Sequence, residues 1–435
     1  MTTRHSATLA IDEMVQARRE AGHQVLHLGF GEAGLPVAPG LVDVLNAAGG
    51  RNSYGPVVGS QQARAAAAGW FSRRGLPTYP SQIIYAPGSK PLLFALLASI
   101  EGDVVLPQPA WVTYAAQAAL LERHVISVPI TPEAGGVPDP SRLEDALRQA
   151  RATGARPAVL VLTIPDNPTG TVATPEQVQA VCAIADRFDL AIICDEIYSE
   201  LSHRGAPPSA ASYLPERTVV TSGLSKSLAL GGWRIGFART PDSDWGRRLL
   251  GDLTGVASEI WSCLAAPMQA VATHVLGDPP DILAHIGASR RLHARVATAV
   301  HAEFTAAGAQ CRPPSAGFYV YPDFASREEQ LGGHGIRTST DLATVLLERH
   351  GIATLPGSAF GDPDNTLTMR VATSLLYGTT PEQRWTALGA AQPERLPWVA
   401  ESLAHLGHQL RSLTGASEQP AARPAARREG DVSVP

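Results

Sequence analysis

Between about residues 83 and 238 the chain alternates short, unbroken apolar runs with longer stretches of helical character. The runs are Ile83-Ile84-Tyr85, Val104-Val105-Leu106, Val125-Ile126-Ser127-Val128, Val159-Leu160-Val161-Leu162, Ala191-Ile192-Ile193-Cys194, Val219-Val220-Thr221 and Ile235-Gly236-Phe237. Runs without polar alternation suit strands buried on both faces, and helical connections between them suit parallel crossovers. The pattern therefore predicts an α/β fold with a mostly parallel seven-stranded sheet sandwiched by helices. Upstream, Leu9, Met14, Val15 and Ala17 among charges predict an amphipathic helix over 7–22, started from Ser6. Residues 26–31 read as a strand ending in a glycine turn. Downstream, 244–308 is helix-rich, and Phe318-Tyr319-Val320-Tyr321 and Thr368-Met369-Arg370-Val371 suit strands of a smaller α+β domain. Residues 413–435, rich in Ala, Pro and Arg without periodicity, read as a disordered tail.

Composition narrows the picture. The chain has 435 residues, 44% of them apolar, enough for a large core in two or three domains. Net charge is −5 with no long basic run, so neither nucleic acid nor an anionic membrane is an expected partner. No signal-type segment and no run of about 18 apolar residues is evident, which makes the cytoplasm the expected location. The four cysteines lack paired spacing and read as reduced thiols rather than disulfides or metal ligands. The lysines are the unusual feature. Only Lys90 and Lys226 occur, against thirty-three arginines. Lysine is thus expected where guanidinium cannot substitute, and imine formation with an aldehyde is such a place.

Four motifs follow strand ends, and a doubly wound sheet would gather them at its carboxyl edge. Pro87-Gly88-Ser89-Lys90-Pro91 opens a helical run, so the Ser89 and Lys90 N–H groups are placed to meet an anion. Pro165-Asp166-Asn167-Pro168-Thr169-Gly170 is a turn that can present the Asn167 amide. Cys194-Asp195-Glu196-Ile197-Tyr198 closes an apolar strand with a carboxylate that needs a cation such as a protonated ring nitrogen, and Tyr198 can reach the same ligand. Ser222-Gly223-Leu224-Ser225-Lys226-Ser227 leads through Gly231-Gly232-Trp233 to Arg234, a bidentate phosphate clamp. Together they call for a phosphorylated aldehyde with a ring nitrogen.

Over roughly residues 7–400 the chain resembles the pyridoxal-phosphate-dependent class I/II aminotransferases of fold type I. The motifs Asn-Pro-Thr-Gly, Asp-Glu-x-Tyr, Ser-Lys with Gly-Trp-Arg-x-Gly, and a late Arg carry the likeness. The resemblance implies pyridoxal 5′-phosphate as cofactor, held as an internal aldimine on Lys226, with Asp195 on the pyridine nitrogen. It implies that Asn167 and Tyr198 bond the ring hydroxyl, and that Gly88, Ser89, Lys90 and Arg234 bind phosphate. Trp111 matches the ring-stacking aromatic, and Tyr54 the tyrosine lent to the neighbouring subunit's phosphate site in a homodimer with shared active sites. Arg370 matches the clamp on the substrate α-carboxylate, and Gly31 the glycine whose backbone assists it. Domains at 1–45 (N-terminal arm and part of the small domain), 46–285 (large) and 286–412 (small) are implied as well.

Two positions depart from the family pattern. A phosphate-binding Ser three before the lysine is replaced by Gly223, leaving Ser222 or Ser225 to serve. Dicarboxylate-specific relatives place an arginine where this chain has Glu259-Ile260-Trp261-Ser262, which favours apolar or aromatic substrates. The expected reaction moves an amino group between an L-amino acid and a 2-oxo acid. Lys226 shuttles the proton, with Asp195 and Tyr198 beside it. Elimination or replacement, cyclisation and oxidation on the same cofactor are the alternatives, and a non-catalytic regulator is a more distant one. His27, His203, Tyr319 and Tyr321 are expected to be structural, and Glu196 to be solvated or a local cap.

Overall fold

The computed structural model describes residues 6–416, so Met1–His5 and all but the first residues of the expected tail lie outside it. All seven apolar runs are strands of one sheet: β2 (Ile83–Pro87), β3 (Asp103–Gln108), β4 (Val125–Pro129), β5 (Pro157–Thr163), β6 (Ala191–Asp195), β7 (Thr218–Gly223) and β8 (Ile235–Arg239). Their spatial order is β2-β8-β7-β6-β5-β3-β4. Strands β3 to β7 run parallel, whereas β8 is antiparallel to both β7 and β2. The reason is the short 224–234 connection, which returns the chain like a hairpin instead of making a crossover.

Helices cover both faces. α4 (Ser89–Ser99), α5 (Val112–Leu120) and α8 (Asp244–Ile260) pack Leu92, Leu96, Tyr114 and Leu253 against Val104, Val159 and Ile193. On the other face, α6 (Pro140–Ala152) and α7 (Pro175–Arg187) bury Leu143, Leu147 and Val181 against Leu160 and Ile192. There too, α2 (Pro39–Ala48), α3 (Gln61–Arg73) and α9 (Ala266–Val275) meet Tyr85 and Phe237. Each fully buried aliphatic side chain contributes about 1.5–3 kcal/mol. Sequence sets the helix starts: Pro175 takes the first helical position inside the Thr174–Gln177 capping box of α7.

A second core forms around α10 (Pro280–Ala306), α11 (Glu328–Gly332), α12 (Ser339–His350), α13 (Pro381–Gly389) and α14 (Pro397–Thr414). β10 (Tyr319–Val320) and β13 (Leu355–Pro356) flank β14 (Met369–Ala372) antiparallel. Two ribbons complete it, β9 (Gln310–Cys311) with β11 (Pro322–Asp323), and β1 (Leu26–His27) with β12 (Ile352–Ala353). α1 (Ala7–Glu20) packs Ile11 and Val15 into a cluster with Leu355 and Phe360. Among the described residues no helix is long and apolar enough to cross a membrane, and no acidic, His or Cys cluster suits a metal.

Candidate active site

A cavity of about 540 Å³ opens at the carboxyl ends of β3, β5, β6 and β7, where the chain order reverses across the sheet. Gly31, Ser89, Lys90, Trp111, Asn167, Asp195, Tyr198, Ser225, Lys226, Arg234 and Arg370 all line it. Three expected residues do not. Gly88 and Ser222 are buried behind the wall, and Tyr54 stands 89% exposed outside the cavity. Of the two serines near the lysine, only Ser225 faces the space. Four cationic side chains and two carboxylates surround it, so the site favours anions.

One end is shaped for an anion. α4 begins after Gly88, whose φ of 93° suits glycine, and no side chain caps the helix. The first N–H groups of α4, at Ser89 and Lys90, therefore remain available to a ligand. Glycine at 236 lets β8 press against this turn, since a Cβ there would lie 2.2 Å from the Gly88 carbonyl carbon. Arg234 sits over the same turn: a Cβ on Gly88 would meet its Nη2 at 2.1 Å. Arg234 adopts a left-handed backbone, φ 56°, and its Nη1 donates to the Gly231 carbonyl at 3.0 Å.

At the centre, Asp195 ends β6 and is 2% exposed. Tyr114 donates to its Oδ2 at 3.0 Å, and the Ile197 N–H reaches Oδ1 at 3.3 Å. Burial pushes the Asp195 carboxyl up to about 6, outweighing these donors and the attraction of the Lys226 ammonium. No salt bridge reaches it among the described residues. Lys226 follows β7, and its Nζ donates to the Gly31 carbonyl at 2.5 Å. Burial, helped by the nearby Arg370 guanidinium, lowers the Lys226 ammonium to about 8. The minor but appreciable neutral fraction this leaves near physiological pH suits a nucleophile or base.

The third part is Arg370 on β14, fully buried. Its Nη2 donates to the Gly29 carbonyl at 2.6 Å and its Nη1 to Asn167 Oδ1 at 3.2 Å. The guanidinium lies between the rings of Tyr319 and Phe360, 4.9 Å from each centroid. Its Nε is buried without a partner. With Asn167 Oδ1 turned to Arg370, the Asn167 amide NH₂ is left for a ligand.

The structure also corrects the sequence reading. Tyr319 is not simple packing: it lines the cavity, and its hydroxyl is 2.8 Å from that of Tyr198. Glu196 is not solvated but 8% exposed, held by Ser209 and raised to about 7 by burial. Tyr114 and Thr163, hydrogen-bonded to each other at 2.9 Å beside Asp195, went unnoticed because a strand-end Thr and a helical Tyr carry no local signal. His27 bonds Asp12 and His203 bonds the Gly317 carbonyl, structural roles as expected. Tyr321 bonds Asp362 at 2.7 Å.

Comparison with known proteins agrees with this geometry. The family model for aminotransferase class I and II matches residues 23–374. The chain is 29% identical to an aspartate aminotransferase of Bacillus subtilis over 380 residues, covering 85% of this chain and 92% of that one. It is 30% identical to an aspartate/prephenate aminotransferase of Thermus thermophilus, covering 82% and 89%. Among solved structures, aspartate aminotransferase from Thermus thermophilus with maleate superposes with a TM-score of 0.77 at 28% identity, over 89% of this chain and 96% of that one. Strand-end chemistry, sheet topology and kinship converge: the chain belongs to the class I and II aminotransferases, fold type I, and is an aminotransferase acting on amino acid and 2-oxo acid substrates.

Proposed function

We propose that the cavity holds pyridoxal 5′-phosphate and that the enzyme moves an amino group between an acidic L-amino acid and a 2-oxo acid. The observation that carries the cofactor reading is the buried Asp195 carboxylate, raised to about 6 and without an ion pair, facing the same space as the Lys226 amine. A protonated pyridine nitrogen would supply the missing cation. The residues present fit the group. The uncapped start of α4, Arg234 and Ser225 would hold its phosphate, Trp111 would stack on the ring, and Asn167 and Tyr198 would bond the ring hydroxyl. Bound there, the cofactor supplies an aldehyde for the amino group and a ring that accepts the electron pair left at the substrate Cα.

The chain's own residues do the rest. Arg370 grips the α-carboxylate and so fixes which bond at Cα stands across the ring. Lys226, partly neutral, would take the proton from Cα and deliver it to the cofactor's aldehyde carbon, two bonds away. Trp111, Tyr319 and Phe30 wall the space and limit water. For the side chain, Lys90 is the cation to consider. Its Nζ lies 5.3 Å from the Trp111 ring centroid at the wall of a cavity that Ser6 and Thr8, at the start of α1, also line. That placement outweighs the missing arginine at 259–262 and supports an acidic substrate, in keeping with relatives named for aspartate.

The 89% exposure of Tyr54 supports a homodimer in which it serves the neighbouring subunit. The separate cores support a large domain over 46–285 and a small one over 286–412, with residues 11–35 of the arm packed into the small domain. Four unpaired cysteines support a cytoplasmic setting. The test is purification with cofactor, borohydride reduction and peptide mapping, alongside an amino-donor screen. Label on Lys226 and activity with L-aspartate exceeding that with L-leucine or L-phenylalanine are expected. Label on Lys90 would refute the cofactor assignment, ammonia release without an acceptor would refute transamination, and preference for the apolar donors would refute the side-chain reading.

A further inference from the structure

Two tyrosine hydroxyls 2.8 Å apart share one hydrogen, so the one that donates has none left for another acceptor. Around Tyr198 and Tyr319 the geometry selects the donor. Tyr319 Oη has one further acceptor, the Gly31 carbonyl, at 3.5 Å. At 3.5 Å that acceptor is the weaker of the two, against 2.8 Å to Tyr198 Oη. The backbone also confines the hydroxyl, because a Cβ on Gly31 would lie 2.4 Å from it. The ring is held by Phe318, centroids 4.7 Å apart, and by the Arg370 guanidinium. Burial raises both hydroxyls, Tyr198 further, and the Arg370 guanidinium 4.9 Å from the Tyr319 ring offsets part of that rise, which makes Tyr319 the readier donor. Tyr198 meets Tyr319 edge-on at 75°.

We propose that Tyr319 is a positioning residue whose hydroxyl donates to Tyr198 Oη and so turns the Tyr198 proton toward the ring oxygen of the bound cofactor. The inference rests on the cofactor reading above. It gives a buried tyrosine of the smaller sheet a role in tuning the cofactor, and it links that tuning to Arg370 on the adjacent strand. A donor on the ring oxygen stabilises the form in which that oxygen carries most negative charge. This holds down the pH at which the coloured protein–cofactor adduct loses its proton.

The experiment is a visible-absorbance pH titration of the holoenzyme. Tyr319→Phe is expected to raise the midpoint by about half to one pH unit, the size of one neutral hydrogen bond. KM for an α-carboxylate substrate should stay within about twofold, because the ring beneath Arg370 remains. Tyr198→Phe should raise the midpoint at least as far, and the double variant no further, since one residue acts through the other. Tyr319→Met, which removes the ring too, should show the same shift with a raised KM, and it serves if the Phe variant does not fold. An unchanged midpoint in a folded Tyr319 variant, or additive shifts in the double variant, overturns the proposal. A colourless wild type would instead refute the cofactor reading itself, a distinct outcome that removes this inference with it.

Discussion

Replacing Arg370 by Leu separates substrate recognition from fold and cofactor. The side chain is fully buried, bonds Gly29 and Asn167, and keeps an unpartnered Nε. Losing one partner of a buried, bidentate charge pair costs about 2–5 kcal/mol of binding, or roughly 30- to 4,000-fold in apparent affinity. The fold responds through two opposed effects. The Gly29 carbonyl and Asn167 Oδ1 each lose a donor, costing about 1–3 kcal/mol apiece. Against this, a guanidinium depressed by burial no longer has to be desolvated. The net change in stability is therefore expected to be smaller than the change in substrate binding. The assay is a half-reaction followed on the bound chromophore, run with L-aspartate and with a simple amine that lacks the carboxylate. L-aspartate should lose at least about 30-fold and the amine far less, with the starting spectrum unchanged. Equal losses for both would show that Arg370 supports the fold or the cofactor, and the carboxylate clamp would lie elsewhere.

Because the free Lys226 ammonium is lowered to about 8, capture of pyridoxal 5′-phosphate by apoprotein should speed up as pH rises from 6.5 and level off above about 8; stopped-flow rates flat across that range would contradict it. Asp195→Asn should stay coloured yet lose at least about a hundredfold in turnover, as its charge matters most when electrons enter the ring; near-normal kcat in a coloured variant refutes the pairing. Mixing inactive Lys226→Ala with an inactive Tyr54→Ala protein should restore some activity through hybrid dimers, whereas a fully active monomer in ultracentrifugation excludes the shared site.

The amino-acid sequence by itself determined the seven strands, because a strand buried on both faces must be apolar throughout, and Val104-Val105-Leu106 or Ile192-Ile193-Cys194 admit little else. It also placed the strand-end chemistry. Asp195 ends a strand, and Asn167 and Lys226 follow theirs closely enough that the sheet alone brings the three together. The scarcity of lysine then marked Lys226. Only tertiary structure decided the antiparallel return of β8, the burial of Glu196 and the contacts of Tyr114 and Tyr319. Each depends on residues far away in the chain: Tyr319 meets Tyr198 across 121 positions, and Tyr114 meets Asp195 across 81. A tyrosine on a two-residue strand has the same local pattern whether it packs in a core or faces a cavity. What separates the cases is the register of β10 on β14, which sets Tyr319 beside Arg370, and the packing that brings both to the cavity at the carboxyl edge of the large sheet.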